Sequence, residues 1–282
     1  MPTRAGRTSA LLALHIAVAL FGFAALFGKW IALSPVAIVL GRTVIAATTL
    51  ALVASLRRQP FGRPERGLLL NGPLLALHWV SFFAAVQIAS VAIALLGYAS
   101  FPVFVLLLER GTRASRAEYA TALLAALGLA TLAANLSWSG AGMRGLAIAL
   151  VSGVTFALLV VRNRRLVAER SAARIAMWQN LAAGVCLLPI VAIADRSAAW
   201  PRFADVALLL VLGIVCTGLA HTLFIASMRR VSAHSASVVA SLEPVYGIAL
   251  AASLLGEKPD GRTMAGGVLI VVAALIASRR TE

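Results

Sequence analysis

The chain has 282 residues, of which 61% are hydrophobic and only 12% are charged. Its mean hydropathy is +0.94. A water-soluble domain of this size keeps a substantially polar surface, so the composition excludes one and indicates that the chain lies largely in lipid. The formal net charge of +15 is compatible with nucleic-acid binding. However, the basic residues lie in short stretches between apolar runs, without interleaved aromatic residues, so we predict no nucleic-acid partner.

Ten apolar segments are long enough to cross a bilayer, which takes roughly 20 residues as a helix. They are numbered here in chain order as segments 1 to 10: 9–28, 34–56, 67–87, 91–109, 116–134, 142–161, 173–194, 204–227, 232–255 and 261–278. The connections between them are short and leave no room for a soluble domain. The sequence therefore predicts an all-α integral membrane protein with ten transmembrane helices.

The arginines and lysines between the segments predict the orientation. If the N-terminus is cytoplasmic, eighteen basic residues lie in the inner connections and termini and six lie in the outer ones. Because positive residues concentrate on the cytoplasmic side, we expect both termini to be cytoplasmic and the protein to lie in the inner membrane of the cell.

The second half of the chain repeats features of the first half. Phe101-Pro102-Val103-Phe104 reappears as Glu243-Pro244-Val245-Tyr246, and His78 precedes its proline by nearly the same distance as His221. Internal repeats in membrane proteins are typical of transporters, whose substrate site lies where the halves meet. We therefore divide the chain into repeats at 1–138 and 139–282, with five segments each. Since five is an odd number, the halves must be inverted relative to each other.

No catalytic or metal-binding motif accompanies this pattern. The sequence has no Walker motif, no HExxH and no GxSxG, and no His and carboxylate pair at metal-ligand spacing. Cys186 and Cys216 both fall inside apolar runs, which favours packing over a disulfide or a metal site. The prediction is a protein that is not an enzyme and needs no cofactor or metal, with a small-molecule substrate and membrane lipid as its partners. Because both repeats are present, a monomer should suffice.

Three stretches of the second half carry a family resemblance: Ser241-Leu242-Glu243-Pro244-Val245-Tyr246, Leu254-Leu255-Gly256-Glu257-Lys258, and Gly266-Gly267-Val268-Leu269-Ile270. They resemble the second repeat of EamA-domain proteins in the drug/metabolite transporter superfamily. Within that superfamily the chain is similar to bacterial amino-acid exporters of the YddG type, in its size and in the aromatic character of segments 3 and 4. The first repeat departs from the pattern, because Arg113-Ala114-Ser115-Arg116 stands where a glycine-glutamate pair is expected.

The resemblance implies segments 1–4 and 6–9 around a central cavity, with segments 5 and 10 packed outside. It also implies transport by alternating access, in which one repeat rocks against the other. Small residues such as Gly128, Gly266 and Gly267 are typical of close helix packing.

Polar side chains inside apolar segments are costly and are therefore the candidate functional groups. Glu243 lies directly before Pro244, whose ring removes a backbone hydrogen bond. Its carboxyl either contributes to the cavity or to proton coupling, or it is structural and supports the helix break. Arg42, in the middle of segment 2, either holds a substrate carboxylate or pairs internally. His78 and His221 either bind protons or substrate, or are packing residues.

Aromatic residues near these groups complete the predicted site. The substrate-binding residues that we predict are His78, Trp79, Phe82, Tyr98, Trp178, His221, Glu243, Tyr246 and, as charge partner, Arg42. Such a cavity suits a small zwitterion with an apolar side chain. Three functions therefore compete: an exporter of amino acids or similar metabolites, a multidrug or lipophilic-cation exporter, and an intramembrane enzyme or channel, which lacks a supporting motif.

Overall fold

A computed structural model describes residues 4–59, 62–108, 116–134, 136, 140–194 and 201–279. Within these residues the regular secondary structure is entirely helical, and a helix covers each of the ten predicted segments. The helices are Arg4–Trp30 (segment 1), Pro35–Leu56 (segment 2), Arg66–Leu69 and Asn71–Ile88 (segment 3), Val91–Tyr98 and Phe101–Leu108 (segment 4), Arg116–Ala133 (segment 5), Ala141–Leu166 (segment 6), Ala172–Ala194 (segment 7), Phe203–Gly213, the π-helix Ile214–Leu219 and Ala220–Ser227 (segment 8), Ala233–Ala240 and Glu243–Leu254 (segment 9), and Gly261–Arg279 (segment 10).

Six helices of the described residues are long and apolar enough to cross a membrane, namely those of segments 1, 2, 3, 6, 7 and 8. Shorter apolar helices lie in segments 4, 5 and 10. In hydrocarbon a backbone must satisfy its own hydrogen bonds, which a helix does within one segment. The chain is therefore a multi-pass membrane protein built from helices.

The two prolines of the repeat each follow a helix break. In segment 4 the chain turns at Ala99 and Ser100, and the next helix places Pro102 at its second position. In segment 9 it turns at Ser241 and Leu242, and Pro244 again occupies the second position of the next helix. Proline is tolerated in a first helical turn because the amide there needs no partner within the helix. The broken helices thus occur at matching places in the two halves.

Serine residues fix where two of the helices begin. The Ser34 hydroxyl accepts a hydrogen bond of 3.2 Å from the Ala37 amide at the start of segment 2. The Ser90 hydroxyl accepts one of 3.1 Å from the Ile93 amide at the start of segment 4. These side chains satisfy amides that have no partner within the helix. Segments 2 and 4 therefore start at defined residues.

The contacts between segments follow a reciprocal pattern. Segment 1 packs against segments 8 and 9, and segment 6 packs correspondingly against segments 3 and 4. Segment 2 contacts segment 8, as segment 7 contacts segment 3, and the pairs 2 with 7, 4 with 9 and 5 with 10 also meet. Exchanging the first five segments for the last five leaves these pairings unchanged.

Glycine residues permit the closest of these approaches. A Cβ atom at Gly22 would lie 2.9 Å from the Gly247 amide nitrogen, so segments 1 and 9 meet backbone to backbone. A Cβ atom at Gly128 would lie 2.7 Å from the Gly266 carbonyl oxygen. Segment 5 therefore packs on segment 10 through small residues, as the sequence predicted. The repeat boundary between residues 138 and 139 lies outside the described residues. So do residues 113–115, where the first repeat departs from the glycine-glutamate pattern.

Candidate functional site

A central cavity lies where the two halves meet. Its lining comes from segments 1, 2, 3 and 4 of the first half and from segments 6, 8 and 9 of the second half. The lining residues are Phe21, Ala24, Arg42, Leu75, His78, Trp79, Phe82, Tyr98, Phe156, His221 and Glu243. Seven of the nine predicted site residues are among them. The cavity is thus a mostly aromatic chamber that contains one guanidinium, one carboxyl and two imidazoles.

The cavity is nearly filled by its own side chains. Its free volume is about 30 Å³, which is room for about two water molecules. A solute of metabolite size would have to separate the walls. The structure therefore shows the chamber contracted around its own side chains.

Arg42 is held by aromatic and hydroxyl groups and is only 2% exposed. Its guanidinium carbon lies 3.9 Å from the centre of the Trp79 ring and 5.4 Å from that of Phe83. Its Nε donates a 2.9 Å hydrogen bond to the Thr217 hydroxyl. A guanidinium over an indole face is attracted by the electrons of the ring. Arg42 thus lines the cavity and is also tied to segments 3 and 8.

The π-helix of segment 8 places this hydroxyl. Thr217 donates a 2.7 Å hydrogen bond to the Leu212 carbonyl, five residues earlier, while its oxygen accepts from Arg42. A π-helical turn frequently marks a functional position. Gly213 lies at its start, where a Cβ atom would come within 2.6 Å of the Ile45 side chain. Close contact between segments 2 and 8 is therefore built around Arg42 and Thr217.

His78 is anchored on segment 6 by Ser152. The His78 Nδ1 lies 3.1 Å from the Ser152 carbonyl oxygen and 2.8 Å from the Ser152 hydroxyl oxygen. Both contacts join the same ring nitrogen to segment 6. The ring centre lies 4.9 Å from that of Phe156 and 5.5 Å from that of Tyr98. The His78 ring is therefore held in one orientation in the cavity wall, and it links segment 3 of the first half to segment 6 of the second.

Two buried polar atoms of the cavity have no hydrogen-bond partner. The Tyr98 hydroxyl is hydrogen-bonded to the Glu243 carboxyl, but Oε2 of that carboxyl is unpartnered. Nδ1 of His221 is also unpartnered. Glu243 is 4% exposed and His221 is 3% exposed. Leaving a buried polar atom without a hydrogen-bond partner is costly, so both atoms are candidate contacts for a bound solute.

Trp178 and Tyr246 were predicted to line this cavity, but the structure places them elsewhere. Tyr246 is 36% exposed, and its Cβ lies 3.0 Å from the position that a Cβ on Gly22 would take. It follows Glu243 by less than one helical turn, but it packs beside Gly22 of segment 1 and is not part of the cavity lining. Trp178 lies in segment 7, which contributes no described residue to the lining, and packs at the edge of the core.

The predicted set omits residues at or beside the cavity, among them Phe21, Ser152, Phe156 and Thr217. Phe21 and Phe156 line the cavity, but in the sequence they are two of many phenylalanines in apolar runs. Ser152 carried no signal, because small polar residues are ordinary in membrane helices. Thr217 had a weak signal, since it lies one turn before His221 on the same helical face.

One end of the molecule is closed by ion pairs between the halves. Glu65, before segment 3, pairs with Arg170 and, at 3.1 Å, with Arg174. The Arg170 guanidinium holds the pKa of the Glu65 carboxyl below its usual range. Arg229 donates to the Arg170 carbonyl at 2.8 Å. The connections before segments 3, 7 and 9 are thereby held together.

The opposite end is joined by Glu257. Gly256 has φ of +69°, and the Glu257 amide donates to the Ala251 carbonyl at 3.3 Å. This turn ends segment 9 in the manner that glycine favours. It presents the Glu257 carboxylate to the Val91 amide at 3.1 Å, at the start of segment 4, where a negative group is favourable. The Gly-Glu pair of the motif thus attaches the second half to the first.

Comparison with known proteins agrees with this architecture. Residues 143–279 match the EamA-like transporter family. An uncharacterized transporter of Archaeoglobus fulgidus is 29% identical over 218 residues, which are 77% of this chain and 78% of the relative. The pseudopaline exporter CntI of Pseudomonas aeruginosa is 28% identical over 220 residues, which are 75% of this chain and 74% of the relative.

A solved crystal structure has the same fold. It aligns with a TM-score of 0.77 at 22% identity and covers 97% of this chain and 99% of its own. The helical architecture, the matching second half and the transporters among its relatives all lead to one assignment. The chain belongs to the EamA-like transporter family of the drug/metabolite transporter superfamily.

Proposed function

We propose that this protein exports small amphiphilic metabolites, with amino acids that carry aromatic or apolar side chains as the first class to test. The observation that carries the proposal is the closed chamber between the halves, where Glu243 Oε2 and His221 Nδ1 are buried without partners. These atoms face a space walled by aromatic rings. A bound ammonium or hydroxyl group would satisfy them, and an apolar side chain would pack against the rings.

Arg42 favours a zwitterion over a simple cation. It lines the same chamber as Glu243, so both a guanidinium and a carboxyl group are available to a solute. A lipophilic cation would gain from Glu243 and the aromatic walls but would meet the guanidinium as a like charge. Export of lipophilic cations is the second candidate, and it is favoured by the contacts that already engage Arg42 with Trp79 and Thr217.

The reciprocal contacts support alternating access by two inverted halves of five helices, 1–138 and 139–282. Exchanging the halves preserves the segment pairings, and the helix breaks before Pro102 and Pro244 match. In this proposal all ten segments cross the membrane. The ion pairs of Glu65 and the carboxylate contact of Glu257 lie at opposite ends, so opening one end requires breaking one set of contacts. A single chain contains both halves and should therefore transport alone.

The proposal is tested by uptake into proteoliposomes that contain the purified protein. Labelled phenylalanine, leucine and glutamate are compared with tetraphenylphosphonium, each with and without a pH gradient. We expect saturable uptake of phenylalanine and leucine. Uptake of tetraphenylphosphonium alone would favour the second candidate, and uptake of neither class would contradict the proposed function.

Glu243→Gln tests the role of the unpartnered carboxylate. The variant keeps the size and the hydrogen bonding of the side chain but removes its ability to titrate. We expect loss of transport in a stable protein. Glu257→Gln is the control: it removes a carboxylate outside the cavity but keeps a side-chain oxygen that can accept from the Val91 amide, so it should still transport. Transport by Glu243→Gln with an unchanged pH dependence would eliminate this carboxyl as substrate ligand and as proton carrier.

We also propose an inner-membrane location with both termini cytoplasmic, from the bias of basic residues. Alkaline phosphatase fused after residue 282 should be inactive, and a fluorescent protein at the same place should be bright. Periplasmic phosphatase activity would reverse the assigned orientation.

A further inference from the structure

A second polar cluster lies in the core, separate from the central cavity. The side chains of Asn71, Asn163 and Gln179 are at most 1% exposed. Asn71 Nδ2 donates to Asn163 Oδ1 at 3.0 Å, and Gln179 Nε2 donates to the same oxygen. The Arg162 Nε donates to Asn71 Oδ1. We call these four residues the amide cluster. Polar groups inside a membrane protein are costly, so their concentration requires a reason.

The amide cluster lies between the cavity and the end of the molecule that carries Glu65 and Arg170. Asn71 precedes His78 by seven residues on one helix, and Asn163 follows Phe156 by seven on another. Seven residues are two helical turns, so each amide lies on the same helical face as its cavity residue and about 10 Å along the axis. A solute that passes between the cavity and this end therefore meets the amide cluster.

The cluster also joins the two halves. Asn71 belongs to segment 3, whereas Arg162 and Asn163 belong to segment 6. When the halves separate at this end, the bonds from Arg162 to Asn71 and from Asn71 to Asn163 must break. Each freed group then needs another partner, because an unpartnered buried polar group is costly. Water or the polar end of a solute can supply that partner.

The chemistry of the cluster favours an anionic partner. The amide groups contribute N–H donors as well as carbonyl acceptors, and Arg162 adds the single formal charge of the cluster, a guanidinium with a planar set of donors. Among the described residues, no carboxylate hydrogen-bonds to any member of the cluster. Donors around a single positive charge match a carboxylate.

We propose that the amide cluster, opened by separation of the halves, is a second binding site that holds the carboxylate of the solute before it enters the aromatic cavity. This rests on the proposed function, and it adds to it a carboxylate requirement at the end of the molecule that carries Glu65. The alternative is that the amides only hold helices together, as interhelical hydrogen bonds do in other membrane proteins.

Two probes that differ by one carboxylate distinguish these roles: L-phenylalanine and phenethylamine. In membrane vesicles with the Glu65 end exposed to the medium, Arg162→Gln should raise the KM for L-phenylalanine by about tenfold or more, because a hydrogen bond to a charged group is lost. The KM for phenethylamine should stay the same. Arg165→Gln removes an exposed arginine three residues away and should change neither value.

An equal change in KM for both probes, or no change, would contradict the inference while leaving transport established.

A labelling experiment keeps the test independent of transport. In a chain with Cys186→Ala and Cys216→Ala, Asn163→Cys should react with a membrane-impermeant thiol reagent applied from the Glu65 end. L-Phenylalanine should slow that reaction and phenethylamine should not. Absence of labelling, or labelling that neither probe slows, would overturn the second site even if the wild-type protein transports phenylalanine.

Discussion

The hydrogen bond between Arg42 and Thr217 offers the sharpest test of how the core is held together. Thr217→Val keeps the shape of the side chain and removes its hydroxyl. The Nε of Arg42, on a residue that is 2% exposed, would lose its acceptor. Interhelical hydrogen bonds in membrane proteins average only about 0.6 kcal/mol, whereas bonds to charged groups contribute about 1.5–3 kcal/mol. Burial and charge place this bond in the upper range, so we expect a loss of about 2 kcal/mol in the free energy of unfolding.

The measurement is unfolding by sodium dodecyl sulfate in detergent micelles, followed by tryptophan fluorescence. Thr222→Val is the matched control in the same segment, because the Thr222 hydroxyl oxygen is buried without a partner. Removing an unpartnered hydroxyl should cost less than about 0.5 kcal/mol. Combining Thr217→Val with Arg42→Met should show a coupling of about 1.5 kcal/mol, since the two residues share the bond that is lost.

A stabilising role of this hydrogen bond is excluded if Thr217→Val costs no more than Thr222→Val. It is also excluded if the effects of Arg42→Met and Thr217→Val simply add, because additive effects belong to groups that do not interact. In that case the guanidinium would be held by its aromatic contacts alone.

Three further predictions concern the ends and the packing of the bundle. Arg170 holds the pKa of the Glu65 carboxyl below its usual value of 4.5. The ion pair should therefore stabilise the folded protein fully above pH 4.5 and lose this effect as the pH falls through the lower pKa of the folded state. The melting temperature of Glu65→Gln should accordingly depend less on acid pH than that of the wild type. Gly213→Val should destabilise by about 1–3 kcal/mol through overpacking against segment 2, whereas Gly261→Ala, where a Cβ atom meets nothing within 4 Å, should be neutral in the same unfolding assay. Glu257→Ala should lower the free energy of unfolding by about 1 kcal/mol, because the first amide of segment 4 loses its acceptor. Glu257→Gln keeps an acceptor oxygen and should cost less, so equal costs of the two variants would contradict this explanation.

Much of the fold could be predicted from the sequence because hydrophobic length and proline are local signals. A run of about 20 apolar residues has few alternatives to a helix in lipid, and a helix covers each of the ten predicted segments. Pro102 and Pro244 marked the broken segments because proline cannot continue a hydrogen-bonded helix. The π-helix around Thr217 has no local sequence signal, and the Thr217 hydroxyl there bonds a carbonyl five residues earlier and a guanidinium from another segment.

The sequence by itself determined the class of protein and the short set of polar side chains that must avoid lipid, because a charge or an imidazole in hydrocarbon is costly wherever the helix lies. Only the tertiary structure decided which of them share a cavity. It brought Arg42, His78, His221 and Glu243 together and left Tyr246 on an exposed face, because helix rotation depends on contacts between segments and not on composition. The amide cluster shows the same limit. Asn71 and Asn163 are 92 residues apart in the chain, and they meet because segments 3 and 6 pack side by side.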